Sequence, residues 1–129
     1  MICADTSVWV EVLREEMGPT ALHFAELVEA DEVVVPAPVR IEILAGAPKR
    51  ELEELADGFS GMKGLVPGQA TWEKVEAWVG EAVAAGERFG LADLLIGAIA
   101  VEHGAKVWTL DADFERMQKL GFVELYAAP

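Results

Sequence analysis

The stretch LADLLIGAIAVEHGA, residues 91–105, constrains the fold most. Leu94, Leu95, Ile96, Ala98, Ile99, Ala100 and Val101 leave a helix there with no polar face. A helix that is apolar all round is buried, so other elements must wrap around this one. The chain has 129 residues, enough to do so within a single domain, 1–129. Yet Asp93 stands at the mouth of this run. Burying a lone charged carboxylate costs on the order of tens of kcal/mol by Born estimates. Either Asp93 reaches solvent as a cap, or something positive meets it.

The rest of the chain alternates short apolar runs with helical stripes. MICA reads as a first strand. Thr6 or Ser7 then caps a helix to about Glu16, with Val8, Trp9, Val12 and Leu13 on its buried side. Gly18-Pro19 breaks it. Ala21, Phe24, Ala25 and Val28 form a second stripe, with His23 on the opposite side. EVVVP, β-branched and bounded by Pro36, reads as strand two. A helix follows over 37–46, then an amphipathic helix over 50–56. GLVPG is a weak third strand. Trp72, Val75, Val79, Ala82 and Val83 predict a helix up to Gly86. After the loop ERFG and the apolar helix, Gly104 gives a left-handed stop. KVWTL is strand four, Phe114, Met117 and Leu120 mark a short helix, and FVELY is strand five. Strands alternating with helices imply a parallel sheet covered on both faces.

Composition excludes several classes. At 53% hydrophobic and 26% charged the chain is globular, not disordered. No apolar run is long enough for a membrane span. No basic region precedes an apolar stretch, so no signal peptide is expected and the cytoplasm is the natural compartment. Cys3 is the only cysteine, which excludes an internal disulfide or a cysteine-built zinc site. The net charge of −13 argues against unassisted, nonspecific nucleic-acid binding. It fits a cation site, a basic partner, or both.

Parallel sheets place function at the carboxyl ends of their strands, near the switch point. Asp5 ends strand one and Asp111 follows strand four. Glu42 lies early in the helix after strand two, and Asp93 opens the helix that feeds strand four. All four acids therefore point to one rim. Gathered carboxylates repel, and a divalent cation removes the conflict. An oxygen-only ligand set selects Mg²⁺ or Mn²⁺. Asp5 and Asp93 are equally well placed as helix caps when each is taken alone. Asp113, directly before FERMQKL, is placed as a cap or as a support to Asp111. Arg40 is read as pairing with a surface acid rather than touching phosphate.

The segments ADTSVWVEVL, PVRIEILAG, LADLLIGAIAVEHGA and VWTLDADFERM resemble, in order, the four acidic motifs of PIN-domain nucleases. Within that family they look like the VapC-type toxins of bacterial toxin–antitoxin pairs. The resemblance implies a three-layer α/β/α domain with a five-stranded sheet ordered 3-2-1-4-5. It also implies a Mg²⁺- or Mn²⁺-dependent endoribonuclease. Its acids would be Asp5, Glu42, Asp93 and Asp111, with Ser7 or Thr6 as a hydroxyl helper. An RNA substrate, a cognate antitoxin and a homodimer belong to the same expectation.

Other chemistries lack support. His103 sits in the last turn before Gly104, where it meets the helix dipole. Ser60 lacks a nucleophile elbow, and no glycine-rich phosphate loop follows a strand. A haloacid-dehalogenase phosphatase would place Asp-x-Asp after strand one, where Asp5-Thr6-Ser7 stands. A response-regulator receiver would need an acid after strand three. Two alternatives remain: a noncatalytic module docking a basic partner, which would need no metal, and a stand-alone RNA-processing nuclease of the same family.

Overall fold

The computed structural model describes residues 1–129. Its elements run β1 (Ile2–Ala4), α1 (Thr6–Arg14), α2 (Pro19–Glu29), β2 (Val33–Pro36), α3 (Ala37–Gly46), a 3-10 turn (Lys49–Glu51) and α4 (Leu52–Ser60). They continue with β3 (Lys63–Leu65), α5 (Gln69–Ala84), α6 (Leu91–Glu102), β4 (Lys106–Trp108) and α7 (Asp113–Lys119). The sheet has four parallel strands in the order β3-β2-β1-β4. Right-handed crossovers set the layers. Stepping from β1 to β2 to β3 puts α1–α4 on one face, and returning to β4 puts α5 and α6 on the other. The two central strands are buried along their whole length, as a doubly covered sheet requires.

FVELY does not form a full fifth strand. It takes the expected place beside β4 but pairs only through a parallel bridge from Leu125 to Val107. Its first residues are committed elsewhere: the Phe122 N–H closes the end of α7 on Met117 O, after Gly121 turns the chain at positive φ. Only Glu124–Tyr126 reach β4, where Val107 N–H donates to Glu124 O and Tyr126 N–H to Val107 O.

One core joins both faces. On one side Trp9 packs against Phe24 and Phe59, with ring centroids 4.8 Å from each. On the other, Trp78 stacks on Phe122 at 4.6 Å. α6 runs through the middle, buried from Leu94 to Ala100. Gly97 lets it sit there: a Cβ would meet Met117 Cε at 2.8 Å and Val123 Cγ1 at 3.0 Å. Cys3 is wholly buried, and burial followed by the nearby Asp5 charge pushes its thiol pKa far up.

Several faces differ from the hydrophobic pattern. On α1 Leu13 is exposed, and on α2 Ala25 and Val28 are exposed while Ala21 and Phe24 are buried. α5 buries Thr71, Val75, Trp78 and Ala82, leaving Trp72, Val79 and Val83 exposed. Thr71 takes the inner position because its hydroxyl is fully used: it accepts from Gly68 N–H and donates to Glu102. His23 does not point to solvent. Its Nε2 lies 2.6 Å from Tyr126 Oη and its ring meets Trp108 edge-on, because the C-terminal segment returns over α2. His103 does hold the last turn of α6, donating from Nδ1 to Ile99 O. Arg40 pairs with no acid; its guanidinium lies over Phe59. No helix is long and apolar enough to cross a membrane.

Candidate active site

The order β3-β2-β1-β4 reverses between β1 and β4, so the switch point lies where those two strands end. Asp5 follows β1 there and is only 3% exposed. Its Oδ1 accepts from Val8 N–H at 3.2 Å, which caps α1, and from Ser7 Oγ at 2.5 Å. Its Oδ2 accepts from Thr109 Oγ1 at 2.5 Å. Ser7 Oγ in turn accepts from Leu110 N–H, and Thr109 Oγ1 from Asp111 N–H. These bonds stitch the end of β1 to the end of β4. Asp5 is thus a cap and a rim residue at once. Its pKa is still raised, because burial outweighs the hydroxyl and amide donors.

Thr109 is absent from the sequence reading. A hydroxyl two residues before Asp111 is its one local signal, the spacing of a side-chain-to-backbone turn. Ser7 turns its oxygen to Asp5. Thr6 donates to Glu42 Oε1 at 2.7 Å and so ties α1 to α3. Glu42 itself is exposed.

Asp93 lies in the first turn of α6 but does not cap it; Gly90 holds the cap position. The carboxylate forms no hydrogen bond or ion pair within the protein, and its pKa is raised to about 6. Burial is the largest cause, followed by the charges of Asp111, Asp113, Asp5 and Glu42. Every acid of the rim therefore acts on Asp93.

Carboxylate oxygens of Asp93, Asp111 and Asp113 lie within 4.8 Å of one another. Asp113 is thus in the tightest group, not behind it. The cap contact expected of it belongs to Asp111, whose Oδ1 accepts from Asp113 N–H at 2.9 Å. Ala112, not Asp113, occupies the N-cap position of α7. Asp5 and Glu42 stand outside this trio. The donor set fits a hard divalent ion.

A parallel sheet with an acidic rim at this switch point defines a class, and the chain belongs to it: the PIN domain family, whose model matches residues 2–120. Among curated relatives, ribonuclease VapC11 of Mycobacterium tuberculosis (strain ATCC 25618 / H37Rv) is 32% identical over 127 residues, 93% of each chain. Among solved structures, VapBC2 from Rickettsia felis, bound to a DNA fragment from their promoter, has a TM-score of 0.81 at 17% identity over the whole of both chains. VapBC-1 from nontypeable Haemophilus influenzae has a TM-score of 0.78 at 16% identity, over 98% of this chain and 97% of that one. These two likenesses establish the fold.

Proposed function

We propose that this protein is the endoribonuclease toxin of a toxin–antitoxin pair, working with Mg²⁺ or Mn²⁺. The observation that carries the reading is Asp93: a carboxylate with no partner in the protein, pushed up in pKa by burial and then by four other acids. A divalent cation would offset that repulsion. Kinship to ribonuclease VapC11 supplies the substrate class.

When bound, a divalent ion makes a coordinated water more acidic and offsets charge developing on a phosphate. Asp93, Asp111 and Asp113 would hold it. Asp5 is held rigidly by Ser7 and Thr109, which leaves Oδ2 with capacity for one further contact on the rim side. Glu42, steadied by Thr6, would hold a water or a second ion at the outer edge. Rim acids also repel the RNA backbone, so productive binding of RNA depends on the cation.

The partner would be an antitoxin, basic where it meets the rim, because the chain carries a net −13. Self-association as a homodimer belongs to the same proposal. A purely docking module would bind its partner without metal. The deciding experiment is cleavage of a defined RNA panel with and without Mn²⁺, comparing wild type with Asp93→Asn. Cleavage that needs Mn²⁺ and vanishes in Asp93→Asn is the expected result. Cleavage unchanged by either manipulation sinks the reading.

A further inference from the structure

The rim has one ion-paired acid, Asp113, and its partner is Arg116. Arg116 sits one turn along α7. Its Nη2 donates to Asp113 Oδ1 at 2.7 Å, and its Nη1 donates to Glu87 Oε2. The guanidinium also lies over the Phe89 ring, 4.7 Å from its centroid. Phe89 packs edge-on against Phe122 of the core. Glu87 and Phe89 belong to segment 85–90, which leads through Gly90 into α6 and so to Asp93.

We propose that Arg116 is a positioning residue that sets the spacing of Asp93 and Asp113 from both sides. One arm holds Asp113. The other arm and the face of the guanidinium hold the segment that delivers Asp93. A planar fork suits this task, since it can bridge two carboxylates and stack on a ring together. Simple damping of acid repulsion is a poorer account. Glu87 takes one arm, so the Arg116–Glu87 pair adds no net charge near the trio. What the pair adds is a fixed distance. Groups that orient metal ligands in this way typically contribute ten- to hundredfold in metal affinity or activity.

This inference rests on the metal reading of the trio, and the test separates the two. The variant Arg116→Gln with Glu87→Gln removes the bridge and leaves the local net charge unchanged. Calorimetric titration of Mn²⁺ into the RNA-free protein should show affinity lower by roughly ten- to hundredfold. In an Asp113→Asn background the same pair of changes should have a smaller further effect, because only the hold on the Asp93 segment is left to lose. Arg116→Lys keeps the charge without the bridge and should not restore binding. Circular dichroism checks the fold. Should the double variant not fold, Phe89→Leu, which removes the stacking contact with no change in charge, decides: weaker Mn²⁺ binding supports the bridge and wild-type binding overturns it. Wild-type affinity in the double variant or in Arg116→Lys overturns the proposal while leaving the metal site standing. Wild-type protein that binds no Mn²⁺ sinks both.

Discussion

Asp5 and Asp93 belong to the same rim and meet the fold in opposite ways. Asp5 is enclosed and well bonded: an amide and two hydroxyls converge on it, and through it two strand ends are joined. Asp93 is half-exposed and idle within the protein, and its charge is opposed by burial and by four other acids. Asp5 therefore supports the structure, while Asp93 works against it until a cation arrives. A residue retained at a cost to stability points to function more sharply than one that also serves as a cap.

That contrast can be broken in graded ways. The largest effect on stability is expected from Asp5→Ala, which uncaps α1 and strands the Ser7 and Thr109 hydroxyls. Losing a cap costs about 1 kcal/mol and stranding buried polar groups costs a similar amount. Urea denaturation of metal-free protein should show a loss of about 2 kcal/mol. An unchanged midpoint would mean that the hydroxyls bind elsewhere.

Asp93→Asn should have the reverse sign. Removing the opposed charge should stabilise metal-free protein at pH 7 by about 1 kcal/mol, the full shift being discounted because the group is half-exposed. A loss of stability in that variant would erase the distinction between the two acids.

A pH titration sharpens the same point. The folded pKa of Asp93, about 6, lies above its ordinary 3.8. Its contribution to stability is then fully present below about pH 4 and lost as pH rises through about 6. Asp5 is shifted in the same direction. Between pH 7 and 5, the melting temperature of metal-free wild type should rise relative to Asp93→Asn. Mn²⁺ affinity should fall over the same interval, since binding releases the proton. Parallel melting curves for the two proteins would count against the shift.

The smallest change is expected from Glu42→Gln. Glu42 is exposed and its one bond is to Thr6, so stability should stay within about 0.5 kcal/mol. Cleavage should fall all the same. A variant that cuts RNA normally would remove Glu42 from the site.

The parts legible in sequence were those set by local pattern. The end of β1 at Asp5, the place of Asp111 just beyond β4, the helix over 37–46 carrying Glu42 and the all-apolar helix behind Asp93 follow from period and position. What stayed hidden depends on partners far along the chain. Thr109 reaches Asp5 across a separation of 104 residues, and Tyr126 reaches His23 across 103. The Arg116–Glu87 bridge spans 29. Asp113 looked like a cap because an acid before a helical stripe usually is one. Its role changed once Asp111 took its amide. Thr71 displaced Trp72 from the inner face for a similar reason: a satisfied hydroxyl can be buried, and hydrophobicity alone does not register the bonds that satisfy it.

Cys3, shut inside β1 at the centre of the sheet, has a practical consequence. A thiol that neither meets solvent nor ionises is silent to alkylating reagents. It can react only when the central strand leaves its neighbours. The unaltered protein therefore carries its own clock: the rate at which iodoacetamide labels this one sulfur reports how often the whole domain comes open, and metal or a protein partner that closes the rim should slow the ticking.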